Sequence, residues 1–228
     1  MINLYFGKAN NARPLHRDIA DSVPMSTKNF TAIIAMFAPV SLSMARNMWS
    51  TLNSCEHPRE VAGEQKACAT SIESMHEFAA SALGTRDLHV SSSSLDVPRE
   101  DISSPSRRYK MVAVCVAHGG REASAVTCYS MSFPFAVFYC HAVNPTRIYE
   151  VTMQIEENNN VTAPMLPKMV RALAVCHPDT SGFDPKLAYW KKHGAKPGDA
   201  SVCHFLTRGD VLWAPNGATQ GHGQPTRT

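Results

Sequence analysis

The chain has 228 residues, 44% apolar and 18% charged, with a formal net charge of +3. That length is one domain or two small ones with a sizeable core, and so small and dispersed a positive charge excludes a nucleic-acid binder that works by neutralising phosphates. No apolar run approaches the roughly 18–20 residues that span a bilayer, and seven cysteines favour an oxidising compartment.

Met1-Ile2-Asn3-Leu4 has neither a basic start nor a long apolar stretch, so it does not read as a signal peptide, and the expectation is a domain excised from a longer secreted precursor. Met1–Phe6 alternates like a first strand, and Asn10–Pro14 is turn-like. Ile19–Pro24 leads into a helix capped by Ser26 or Thr27, with Phe30, Ile33, Ile34 and Phe37 on one stripe of helical period, stopped by Pro39. Ser41 or Ser43 caps a second helix with Met44, Met48 and Leu52 on one face, a methionine stripe that reads as core. A third helix is expected from about Glu64 to Leu83, ending at Gly84. Cys55 and Cys68 flank a polar loop, and a disulfide between them would stabilise by about 3 kcal/mol on the chain-entropy estimate.

Ser91–Arg108 is polar and weakly patterned, and reads as the connection between a helical first part and a sheet-rich second part. Strand signals then dominate: Met111–Ala117, Ala125–Met131, Phe135–Val143, Arg147–Ile155, Arg171–His177, Ala200–Leu206 and Val211–Ala214. Cys115, between valines, is expected to be a buried free thiol. Glu156–Lys168 reads as a surface loop and Gly217–Thr228 as a frayed tail. Asn29-Phe30-Thr31 and Asn160-Val161-Thr162 are glycosylation acceptor patterns on Asn29 and Asn160.

Four strands carry Cys128-Tyr129, Cys140-His141, Cys176-His177 and Cys203-His204. Because strand side chains alternate between faces, the sulfurs should staple one face while the imidazoles converge on the other. The four cysteines allow two disulfides in three connectivities. Ten, 34 and 25 residues separate one pair from the next, unlike the close ligand spacing of structural zinc sites, so only the fold can gather these side chains.

These pairs, with the words FPFAVFYCH at Phe133–His141, AVCHPDTSGFDPK at Ala174–Lys186, KPGDASVCHFL at Lys196–Leu206 and GEQKACATSIESM at Gly63–Met75, resemble the plant BURP domain over nearly the whole chain. The expected fold is α+β: a helix-rich part, about 1–90, packed on a disulfide-stapled, mainly antiparallel sheet, 109–215, in one domain of 1–216 with a tail of 217–228. Some BURP domains are copper-dependent peptide cyclases. The resemblance therefore implies His141, His177 and His204 as copper ligands and, with Tyr129, as the catalytic set. The reaction is the oxidative joining of a Trp or Tyr side chain of a core peptide to another residue, with molecular oxygen as oxidant. Copper fits that chemistry because a one-electron oxidation of an aromatic ring needs a redox metal. The sequence departs from the family where Tyr129, Leu187 and Asp210 stand in place of histidines; Tyr129 and Asp210 carry oxygen and can still ligate, whereas Leu187 cannot. His118 and His193 lie nearby and read as exposed or capping residues. The chain offers no terminal aromatic core peptide, so a substrate would lie upstream or in another chain. The alternatives are a non-enzymatic secreted protein of the cell wall or apoplast, whose partners are wall components, and metal sequestration without turnover. Secretion to the apoplast, cell exterior or vacuole is expected, with no nucleic acid and no membrane span.

Overall fold

Capping side chains and apolar period set the helices of the first part of the chain, in a computed structural model that describes residues 12–58, 63–94, 108–117, 123–156 and 169–217. Helix α1 spans Arg17–Ser22, and a 3-10 turn over Thr27–Asn29, with the Ser26 hydroxyl accepting from the Lys28 N–H, runs into α2, Phe30–Met36. Helix α3 spans Leu42–Glu56, its N-terminus capped by Ser41. Met48 and Leu52 are fully buried with Ile33, Phe133 and Val137, and Met44 packs against them, so the methionine stripe is core.

The third helix is shorter than its sequence pattern suggests. Gln65–Ala69 forms strand β1, and the helix, α4, spans Ile72–Leu83. A reciprocal Ser71/Ser74 capping box starts it, and Gly84 ends it at φ 68°, a left-handed conformation that favours glycine. Residues 65–69 have a better use than continuing a helix. They pair antiparallel with strand β5, Val137–Ala142, while Cys68 reaches Cys55 of α3.

A second strand also comes from the first part: β2, Leu88–Ser92, which takes the beginning of the expected connection. The remaining strands are β3 (Arg108–Ala117), β4 (Val126–Met131), β6 (Arg147–Glu156), β7 (Met169–His177), β8 (Val202–Phe205) and β9 (Val211–Pro215). A short helix, α5, over Ala188–His193 falls in the sheet-rich part and has no counterpart in the sequence reading. The strands form a five-stranded sheet in the order β1-β5-β4-β9-β2 and a four-stranded sheet in the order β3-β6-β7-β8. Every pairing among them is antiparallel.

Helix α4 covers one face of the five-stranded sheet, where Met75 and Ala79 pack with Ala69, Cys128 and Cys140. The other face meets the four-stranded sheet: Leu212 of β9 is buried with Ile148, Leu173, Val175 and Leu206. The disulfides are Cys55–Cys68, Cys128–Cys140 and Cys176–Cys203, so the two sheet bridges join directly opposed residues of neighbouring strands. Cys115 is free, as expected, but only half-buried. Its strand lies at a sheet edge, with Val112 51% exposed, and edge position overrides the apolar pattern. The readings of Met1–Phe6, Glu156–Lys168 and the tail beyond Gly217 fall wholly or almost wholly outside the described residues, as do Asn160 and His118. Asn29 is exposed, as a glycosylation acceptor requires.

Candidate functional site: a histidine–tyrosine centre between two sheets

Strand alternation places the site. In the five-stranded sheet, Cys128 opposes Cys140 on the α4 side, while Tyr129 and His141 belong to the opposite face. In the four-stranded sheet, Cys176 opposes Cys203, and His177 and His204 share the other face with Val175 and Val202. The two imidazole-bearing faces look at each other. The separation of sulfurs from imidazoles expected from the sequence is therefore present in both sheets.

The Tyr129 hydroxyl lies 3.2 Å from His141 Nε2 and 3.1 Å from His204 Nε2. It bridges the two sheets through one oxygen. The His177 ring sits 5.9 Å from that of His141 and 5.5 Å from that of His204, centroid to centroid. On the far side of His141, Nδ1 is 2.7 Å from Glu64 Oε1, and Glu64 Oε2 is 2.6 Å from Lys66 Nζ. Lys66 stands beside His141 in the β1–β5 register. The centre opens on a cavity of about 230 Å³ whose apolar wall is Val143, Phe183, Leu187 and Val202.

Burial decides the protonation of this cluster. It pushes His177 down to about 4, helped by the repulsion it would meet from a protonated His141 and opposed by Glu64 and the Val143 carbonyl. His204 is pushed down to about 4 by burial and by the repulsion it would meet from a protonated His177 or His141, against the Phe205 backbone. Both rings are neutral at neutral pH, the state that ligates a metal. Burial raises the Tyr129 phenol, reinforced by Asp210 and Glu64, so it stays protonated. Burial alone would raise Glu64, but hydrogen bonds from His141 and Lys66 outweigh it and hold the carboxyl below its ordinary range. His177 Nδ1 is buried with no hydrogen-bond partner, an orphan that a buried site rarely tolerates without a use.

The structure thus brings Tyr129, His141, His177 and His204 together. Leu187 lines the same cavity, at a position where the family pattern has histidine. Asp210 is not among the residues that line this cavity. Its carboxylate accepts hydrogen bonds from the Ser130 and Thr207 N–H groups and the Thr207 hydroxyl, so it staples a turn to β4. His193 is exposed at the end of α5 and stacks on Tyr189. Glu64, Lys66 and Phe183 were not singled out from the sequence, although Glu64 and Lys66 open the GEQKACATSIESM word. Ser71, followed by Glu73 in the first turn, was a helix-start signal that could have freed residues 64–69 from the helix.

Among the described residues, no three His, Cys, Asp or Glu side chains are arranged around a common point as metal ligands. The Tyr129 hydroxyl is within hydrogen-bond distance of the Nε2 atoms of both His141 and His204. The donor chemistry nonetheless fits copper(II), with neutral buried imidazoles, an orphaned Nδ1 and a phenol on one cavity.

The BURP domain profile matches residues 1–215. The chain belongs to the BURP domain family. Its BURP domain is 38% identical over 219 residues to BURP domain-containing protein 11 of Oryza sativa subsp. japonica, covering 88% of this chain and 66% of that protein. It is 38% identical over 203 residues to Protein RAFTIN 1B of Triticum aestivum, covering 89% and 52%, and 37% identical over 200 residues to BURP domain protein RD22 of Arabidopsis thaliana, covering 87% and 47%. The chain spans less than two thirds of the length of each of these relatives. No described helix is long and apolar enough to cross a membrane, and three disulfides fit the oxidising secretory pathway.

Proposed function

We propose that this BURP domain binds copper through His141, His177 and His204 and cross-links a peptide oxidatively through a Trp or Tyr side chain. The observation that carries the reading is the convergence of three imidazoles from two sheets on one cavity, two of them held neutral by burial. Copper bound there would supply the one-electron oxidation of an indole or phenol, with molecular oxygen as the terminal oxidant. The chain's own residues do the rest. Val143, Phe183 and Leu187 form an apolar wall that excludes water and suits an aromatic side chain. Tyr129, hydrogen-bonded to two ring nitrogens, must turn aside or exchange a partner before both rings can ligate. The substrate is a core peptide, on the same precursor or a separate chain.

Titration of apo protein with copper(II), followed by electron paramagnetic resonance, tests the reading. Wild type should show nitrogen-coordinated copper and convert a Trp- or Tyr-bearing peptide to a product two hydrogens lighter. The His141→Ala/His177→Ala/His204→Ala variant should show neither. Equal copper binding by both proteins would remove the site. A second reading, a non-enzymatic extracellular BURP protein of the cell wall or apoplast, draws on the Tyr129 bridge itself, which satisfies the rings of His141 and His204 without metal. It requires wild type to bind no copper tightly and to leave the peptide unchanged.

A further inference from the structure

We infer that Glu64 is the positioning residue of the histidine centre: its carboxylate keeps the proton of His141 on Nδ1, so that a bare Nε2 faces Tyr129 and the cavity. The functional consequence rests on the copper reading above, whereas the proton arrangement does not.

Glu64 Oε2 lies 2.6 Å from Lys66 Nζ, and the two side chains are 8% and 10% exposed, so carboxylate and ammonium meet as a shielded ion pair. An ionised carboxylate only accepts hydrogen bonds. At 2.7 Å from Glu64 Oε1, His141 Nδ1 must therefore carry a hydrogen. A neutral ring then has one bare nitrogen, Nε2, and the Tyr129 hydroxyl 3.2 Å away donates to it. The same oxygen lies 3.1 Å from His204 Nε2, and His204 has a further hydrogen-bond partner in the Phe205 backbone. One carboxylate thus sets the direction of the hydrogen bonds from Glu64 through His141 to Tyr129.

Two consequences follow for the site. When Tyr129 turns aside, His141 offers an unprotonated Nε2 without losing a proton, and the carboxylate on its far nitrogen orients the ring and raises its basicity, the arrangement found behind many ligating histidines. Lys66 holds the second oxygen of Glu64, so a single oxygen faces the ring.

Long-range proton–nitrogen correlation spectra of apo protein labelled with ¹⁵N-histidine, at neutral pH, read these tautomers directly. Wild type should show His141 protonated on Nδ1 and bare on Nε2. Glu64→Gln, of nearly the same shape, offers the ring either an acceptor or a donor, so a second His141 tautomer should appear. Glu150→Gln, which changes a carboxylate paired with Arg171 away from the centre, should keep the wild-type pattern, which separates positioning by Glu64 from a general effect of removing a carboxylate. A wild-type His141 that is doubly protonated, or protonated on Nε2 alone, overturns the inference, as does an unchanged Glu64→Gln spectrum. Calorimetric titration with copper(II) should find Glu64→Gln about tenfold weaker than wild type. If the tautomers are as stated and neither protein binds copper, the positioning role stands and the copper reading falls.

Discussion

Tyr129 carries the difference between this centre and one with four imidazoles. Its hydroxyl lies within 3.2 Å of two ring nitrogens, so replacing it leaves both without that partner. Tyr129→Phe should lower stability by about 1–3 kcal/mol, the usual cost of stranding buried polar groups, as read from urea unfolding. Tyr129→His should instead raise copper(II) affinity, because a nitrogen donor takes the place of a phenol that burial keeps protonated; unchanged affinity would show that the position plays no part in metal binding. The depressed His177 and His204 have a sign that can be tested. Their folded values of about 4 lie below the ordinary 6.5, so between those values the unfolded chain binds more protons than the folded one. Their contribution to stability is complete above about pH 6.5 and is lost as pH falls towards 4. Chemical denaturation across that range should show stability falling with pH, and less steeply in His177→Ala/His204→Ala. A double variant with the same slope as wild type would contradict the burial of these rings.

At the scale of elements, β1 matters most, because it carries Lys66 beside His141 and follows directly on Glu64. It is an edge strand, held on one side by β5 and tied to α3 through Cys55–Cys68. Cys55→Ala/Cys68→Ala should therefore cost about 3 kcal/mol and should increase hydrogen exchange of β1 amides more than those of β4, which is paired on both sides. Uniform exchange across the sheet would mean that the bridge supports the fold in general and not this strand. The same strand explains a sequence-level error. Glu64–Leu83 reads as one helix because its alanines and polar residues tolerate either state, and pairing with β5 is a long-range contact that no local pattern announces.

For the whole molecule, the decisive arrangement is that two antiparallel sheets turn their disulfides away from each other and their imidazoles inward. Thiol titration under denaturing, non-reducing conditions should find one free thiol, and peptide mapping should recover Cys128 linked to Cys140 and Cys176 linked to Cys203. A Cys128–Cys176 peptide would contradict the sheet assignment, because it would need β4 and β7 to be neighbours, and they lie in different sheets.

By itself, the sequence determined the Cys-His alternation, the strands that bear it, the α+β class, the methionine core of α3 and the family. All of these are encoded locally, in period, capping residues and short words. Tertiary structure alone decided how the four sheet cysteines pair, that His141 comes from one sheet while His177 and His204 come from the other, and that Tyr129 joins them. It also decided that Asp210 serves a turn and that Glu64 stands behind His141. Those facts depend on contacts between residues 12 to 80 positions apart, across a sheet or between sheets, and such contacts leave no trace in the pattern of either partner.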